Sequence, residues 1–388
     1  MDINQALQET LDKRKDQSLY RYLQFNPNLA DFCSNDYLSF SRSPVIRQKV
    51  SKAMEEEIFP GGATGSRSIS GNTAFAEELE RMLAEFHHAE AALLFNSGYD
   101  ANVGLFSSIA KKEDILICDE LIHASIIDGC RLSYAGRLRF AHNDVQDLEK
   151  KLQHASRQPG ANRQVFVAVE SVYSMDGDIA PLPAIAALCK EYSANLIVDE
   201  AHATGVYGKQ GRGLVNECGL EQEVFARVYT FGKAIGAHGA IVTGSETLRN
   251  YLINFSRSFI FTTALPLHSL ITIKAAYEEL MSPGFSNSYL HRLVDHFKQD
   301  FLGEGDIFLI DSNSPIQSLV IPGNQRARDV SAKLQANGFD VRAILSPSVP
   351  AGKERLRISL HMHNTFDDIN QLKQLLKKIL FEDDALDL

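Results

Sequence analysis

At 388 residues, 44% of them apolar, the chain has enough material for the cores of a large domain and a smaller one. Its 39 basic and 49 acidic residues leave a net charge of −10, which gives a nucleic-acid partner no electrostatic footing. No apolar run approaches membrane-spanning length, and the polar residues 1–5 are unlike a signal peptide. Five scattered cysteines read as reduced thiols, so a cytoplasmic protein with no membrane partner is expected.

Residues 1–42 read as an N-terminal segment that runs into an amphipathic helix pattern. Asn72 is placed to cap a helix over 73–87, whose Leu79, Met82, Leu83 and Phe86 form one apolar stripe. From Ala91 to Gly244 short apolar runs alternate with helical patterns. Strands are expected at 91–95, 114–118, 138–140, 164–170, 195–199 and 226–229, with helices at 99–110, 123–134, 145–153 and 182–192. Residues 239–243 close the series as a strand running back. The fold class is therefore α/β, a mostly parallel sheet with helices on both faces, in a large domain over 43–280. A break at Met281-Ser282-Pro283-Gly284, after a helix over 267–280, opens a smaller C-terminal α+β domain over 281–388. It has strands at 316–321, 339–344 and 355–360 and helices at 326–337 and 366–380, and the acidic tail from 382 onward is expected to fray.

Two strand ends carry the chemistry. Val198-Asp199-Glu200-Ala201-His202 and Thr230-Phe231-Gly232-Lys233 each follow an apolar, β-branched run, which brings an acid, a histidine and a lysine to the C-terminal edge of one sheet. That set suits a cofactor with a cationic ring nitrogen, a phenolic oxygen and an aldehyde: pyridoxal 5′-phosphate. Side chains alternate along a strand, so only one of Asp199 and Glu200 faces such a ring, and the pattern leaves both open. Asn96-Ser97-Gly98-Tyr99 joins a strand to a helix N-terminus, where backbone N–H groups favour a phosphate. His123 begins a helix after a strand and could stack on a planar cofactor or simply cap the helix. Ser174, in Ser171-Val172-Tyr173-Ser174-Met175-Asp176-Gly177-Asp178, could meet the cofactor or serve only its turn. No phosphate-binding Gly-x-x-x-x-Gly-Lys-Ser/Thr loop, no histidine pair at metal-ligand spacing and no Gly-x-Ser-x-Gly elbow is present.

The chain resembles the α-oxoamine synthases, pyridoxal-phosphate enzymes of fold type I, over nearly its whole length. The matching segments are Asn35-Asp36-Tyr37-Leu38, Gly65-Ser66-Arg67-Ser68-Ile69-Ser70-Gly71, His142-Asn143-Asp144-Val145, Ser174-Met175-Asp176-Gly177-Asp178, Asp199-Glu200-Ala201-His202-Ala203-Thr204-Gly205 and Thr230-Phe231-Gly232-Lys233. The resemblance implies that Lys233 forms the imine with the cofactor, that Asp199 pairs with the ring nitrogen and that His202 bonds the phenolic oxygen. It places His123 on the ring face and Ser174 on the phenolic-oxygen side. Gly98, Tyr99 and Thr230 would contact the cofactor and its phosphate. Arg357 would clamp the amino-acid carboxylate, and Arg21, Asn35 and Ser348 match substrate-side positions. Members are homodimers with the site at the interface, so Thr262 or Thr263 is expected to reach the partner's phosphate. Tyr99 stands where phenylalanine is common, and Ser348 replaces a threonine while keeping the hydroxyl. The implied reaction joins an amino acid to an acyl thioester, on CoA or acyl carrier protein, with loss of CO2. L-Alanine with a pimeloyl thioester is expected, and glycine or serine with other acyl chains are the alternatives within the family.

Overall fold

The structure, a computed structural model, describes residues 2–17, 19–56, 61–157, 163–299 and 306–382. The expected fraying of the tail falls, from residue 383 on, outside the described residues. Two compact units form: the larger is Asn35–Ser174 with Asp178–Ser288, and the smaller combines Met1–Ser34, Met175–Gly177 and Tyr289–Leu388.

The larger unit is built on a sheet of seven strands. In chain order they are β1 (Ala91–Phe95), β2 (Ile115–Asp119), β3 (Gly136–Phe140), β4 (Val165–Glu170), β5 (Asn195–Asp199), β6 (Ala226–Thr230) and β7 (Ala240–Gly244). Their spatial order is β1-β7-β6-β5-β4-β2-β3, and β7 alone runs against the rest. β1, β2, β5 and β6 are buried almost throughout, as strands covered on both faces must be, which is why they read as unbroken apolar runs. Leu93, Phe95, Leu116, Phe166, Ile197, Val228 and Val242 pack with Leu105, Phe106 and Ile126 of the covering helices. The helix Ala74–Phe86 starts one residue later than expected. Its cap is Thr73, which accepts from the Ala76 N–H at 3.1 Å, while Asn72 donates instead to Glu77 at 2.7 Å. Helices Pro44–Glu56, Glu246–Phe255 and Arg257–Ile260 also belong to this unit and were not anticipated.

In the smaller unit, Ile316–Val320 lies between Phe308–Leu309 and Arg355–Ser359, and Arg342–Ile344 continues this antiparallel sheet. The run 339–344 is thus broken: Phe339–Asp340 pairs in parallel with Ala30–Asp31 instead. That pairing ties residues before Ser34 to the C-terminal part of the chain. The cysteines are free thiols, with Cys118, Cys130 and Cys189 buried and Cys218 exposed. No helix among the described residues is long and apolar enough to cross a membrane.

A charged knot closes the loops at the C-terminal edge of the large sheet. His142 Nδ1 lies 2.9 Å from Asp119 at the end of β2, and Nε2 lies 2.7 Å from Asp178. Asn143 adds its backbone N–H to Asp119 and its amide to Asp178. Burial works against the charged ring, but hydrogen bonds to the two carboxylates outweigh it and raise His142 to about 9 from 6.5. A raised folded-state value means the stabilisation is fully present below pH 6.5 and is lost as pH climbs through about 9. His142→Gln should therefore destabilise the protein by about 3 kcal/mol at pH 6, and thermal melts should show the gap to wild type shrinking steadily toward pH 9 and above.

Candidate active site

The C-terminal ends of β1, β4, β5 and β6 open into one cavity of about 230 Å³. β1 delivers Ser97, which caps the helix Gly98–Ile109 by accepting from the Asp100 N–H at 3.1 Å. The first-turn N–H groups of such a helix lack intrahelical partners and attract an anion. Gly98 is required there: a Cβ at this position would strike the Thr230 methyl group. Thr230 ends β6, and its Oγ1 is buried with no hydrogen-bond partner among the described residues. A phosphate oxygen above the helix terminus would supply the acceptor this hydroxyl lacks.

Asp199, 5% exposed, presents its carboxylate to the cavity. Oδ2 accepts from the Asn102 side-chain amide at 2.8 Å and Oδ1 from the Ala201 N–H at 2.9 Å. Asn102 in turn donates to Ser125 Oγ at 3.0 Å. Glu200 turns the other way. Its two oxygens accept from the backbone N–H groups of Leu214 and Val215 at 2.9 and 2.6 Å and from the Ser171 hydroxyl at 3.1 Å. Burial lifts Glu200 to about 7 in spite of these bonds. The choice between the two acids left open by the sequence is made by strand alternation, and only Asp199 faces the cavity.

His123 caps the helix Ala124–Leu132, with Nδ1 accepting from the Ser125 N–H at 3.2 Å. Burial holds its ring below the usual histidine value; Asp199 pulls the other way and Lys233 adds to the lowering. The ring is therefore neutral at neutral pH, as suits a face-on contact with a planar cation. Lys233 sits on the turn 231–239, which is held by Phe231 N–H to Gly239 O at 2.9 Å and Gly236 N–H to Lys233 O at 2.9 Å. Gly236 has φ +64°, and a Cβ there would collide with the backbone of Phe40 and Ser41.

The cavity thus gathers Gly98, Tyr99, His123, Asp199, Thr230 and Lys233, together with Asn35. Ser174 and His202 follow the β4 and β5 strand ends without lining it. His202 is buried, with Nδ1 2.8 Å from the Tyr37 hydroxyl, which donates to Asn35 Oδ1 at 3.2 Å. Thr262 and Thr263 line a separate small recess, where the Asn96 amide donates to Thr262 Oγ1 at 2.9 Å and to the Thr263 carbonyl at 2.8 Å. Within the smaller unit, Arg21 and Ser348 share a cavity of about 600 Å³ with Arg14, Arg328 and Arg342, walled by Ile344, Leu345 and Pro347. Arg357, on Arg355–Ser359, donates to Ser359 Oγ at 3.1 Å. Sequence reasoning missed Asn102, Ser125, Glu170 and His238, which also line the first cavity. A polar residue one helical turn after Gly98 and an acid closing an apolar strand were the signals for Asn102 and Glu170.

Residues 27–377 match the family model described as aminotransferase class I and II. A relative named 8-amino-7-oxononanoate synthase, from Emericella nidulans, is 43% identical over 395 residues, covering 96% of this chain and 95% of that protein. Among solved structures, serine palmitoyltransferase from Sphingomonas wittichii superposes with a TM-score of 0.87 at 29% identity, covering 98% of both chains. An 8-amino-7-oxononanoate synthase from Francisella tularensis superposes at 0.76 with 30% identity, over 93% of this chain and 99% of that one. Serine palmitoyltransferase is among the neighbours solved with pyridoxal phosphate bound. The close approach at Gly98 gives a direct check on the anion cradle. Gly98→Ala should weaken pyridoxal-phosphate binding about tenfold or more, read from cofactor absorbance, while leaving the far-ultraviolet circular dichroism unchanged.

Proposed function

The chain belongs to the class I and II aminotransferase family of fold type I pyridoxal-phosphate enzymes, and we propose that it condenses L-alanine with a pimeloyl thioester, releasing CO2 and the free thiol to give 8-amino-7-oxononanoate. The observation that carries this reading is the joining of Asp199, His123 and Lys233 in one cavity above a helix N-terminus, in a chain 43% identical to a synthase of that name. When bound, the cofactor supplies an aldehyde that captures an amino group and a cationic ring that stores the electron pair left at the α-carbon.

The protein's own groups do the rest. Lys233 would hold the cofactor through Nζ, and the same amine, when free, would be placed to take the α-proton and later return one. Asp199 keeps the ring nitrogen protonated, since a buried carboxylate with two fixed donors loses little by gaining a cationic partner. His123 covers one ring face, while His202 and Ser174 serve the phenolic-oxygen edge. Gly98, Tyr99 and Thr230 receive the phosphate, and in a homodimer Thr262 or Thr263 completes that cradle from the partner. Arg357 binds the alanine carboxylate, with Asn35 on the substrate side.

The cavity holding Arg21 and Ser348 combines an aliphatic wall with four guanidinium groups, which suits an acyl chain ending in a carboxylate or the phosphates of CoA. A second reading, serine with a long acyl thioester, is favoured by the TM-score of 0.87 to serine palmitoyltransferase. The relative 43% identical over 96% of this chain carries the synthase name and favours the first reading.

Titrating the holoenzyme with alanine, glycine and serine, then adding pimeloyl-CoA, tests the proposal. The visible band should respond first to alanine, and CO2 should be released with pimeloyl-CoA. A response led by serine or glycine would move the substrate to the second reading or another member of the family. Lys233→Ala should abolish turnover. Asp199→Asn should retain bound cofactor but lose about a hundredfold or more in kcat, whereas Glu200→Gln should keep kcat within a few-fold and lower the melting temperature.

A further inference from the structure

Glu80 is a buried acid for which the proposed reaction has no use. It lies on the helix Ala74–Phe86, its side chain is 3% exposed, and four donors converge on it. Oε1 accepts from Arg67 Nη1 at 2.5 Å and from the Leu94 N–H at 2.9 Å. Oε2 accepts from Arg67 Nη2 at 3.3 Å and from Arg249 Nη2 at 3.0 Å. Leu94 belongs to β1, an edge strand, and Arg249 Nε also donates to the Ala92 carbonyl at 3.1 Å, so these two bonds cover the strand's free edge. Arg67 has no part in that edge. It comes from the loop 65–71, outside every helix and strand.

Arg67, 11% exposed, ties this loop down. Besides the fork on Glu80, its Nε donates to Asn72 Oδ1 at 2.8 Å. The N–H groups of Ile69, Ser70 and Gly71 all turn back to the Ser66 carbonyl, at 3.1, 3.2 and 2.8 Å. The loop grips a distant segment: the Ala264 N–H donates to the Gly65 carbonyl at 2.9 Å, and a Cβ at Gly71 would strike both that carbonyl and the Ala264 methyl group. Thr262 and Thr263 come directly before Ala264, and the Asn96 amide holds them from another side. Arg67 and the two threonines line one recess.

We propose that Arg67 is a positioning residue for the cofactor site of a second copy of this chain. Its ion pair with Glu80 locks the loop 65–71, the loop fixes Ala264, and the two threonines before it are held ready for a phosphate bound by the partner. This rests on the reading that pyridoxal phosphate is bound at a site shared by two copies. Lysine at this position keeps the charge but loses the planar fork, and methionine keeps the stem but loses every donor. Glu80 retains Leu94 and Arg249 in either variant, so its carboxylate stays paired and the fold is kept.

Arg67→Met should bind pyridoxal phosphate about tenfold more weakly than wild type, read from cofactor absorbance, and Arg67→Lys should recover part of the loss. Without cofactor, amide hydrogen exchange at residues 262–264 should be about tenfold faster in Arg67→Met. Hybrid dimers, purified through two different tags, then combine Arg67→Met in one subunit with Lys233→Ala in the other. One site of the hybrid lacks Lys233 and is inactive. The other keeps Lys233 and takes its threonines from the subunit in which Arg67 is intact, so it should reach half its full activity at the wild-type concentration of pyridoxal phosphate. A hybrid needing as much cofactor as the Arg67→Met homodimer would confine the effect to one subunit and overturn the service to a second copy. Wild-type cofactor affinity in that homodimer would overturn it as well, and wild-type exchange at 262–264 would overturn the clamp. A wild-type protein that sediments as a monomer would defeat the shared-site reading and the service to a second copy with it, and the exchange comparison would still judge the clamp.

Discussion

Asp199 brings a carboxylate to the C-terminal edge of a sheet buried on both faces, and such a charge is tolerated only where donors surround it. Its donors are the Asn102 amide, one turn into the helix that Ser97 caps, and the Ala201 N–H beyond the strand. Asn102 also reaches Ser125 in the first turn of the helix that His123 caps. One buried anion thereby fixes two helices whose N-termini border the cavity, and their spacing follows from its need for hydrogen bonds. The helix start at Gly98 and the cavity wall at Asp199 are parts of a single polar network, so displacing either disturbs both.

The same strand end shows how one sequence step divides two jobs. Asp199 looks into the cavity, while Glu200 turns into the protein and takes the buried N–H groups at the start of a short helix. An Asp-Glu pair at the close of an apolar run reads as duplication in the sequence. In the structure one acid faces the cavity and its neighbour holds the start of a helix inside the protein.

Much of this was legible beforehand where burial imposes a simple pattern. All seven strands of the large sheet were anticipated within about two residues: the covered ones because they are nearly continuous apolar runs, and the largely exposed edge strand β3 from its place in the alternation with helices. Lys233, Asp199 and Gly98 stood at strand ends, where the fold class itself says to look. Asn102 and Glu170 were hidden because each closes or interrupts an apolar segment, and only the register of neighbouring elements aims them at the cavity. The run 339–344 looked like one strand because local propensity does not record that its halves join different sheets. Helix Pro44–Glu56 escaped notice because its stripe is short: only Ile46 is fully buried, with Val50 and Ala53 half-buried behind it.

The strand order has a consequence for how the chain is made. β1, the first strand of the large sheet to leave a ribosome, hydrogen-bonds only to β7, the last. Until residue 244 has emerged, both edges of β1 are open and the Asn96-Ser97-Gly98 turn stands beside nothing, because Gly239 and its neighbours do not yet exist. Such distant pairing is slow and leaves early strands dependent on chaperone protection. Gly98 after β1 and Thr230 at the end of β6 are thus brought together only once β7 has joined the two strands.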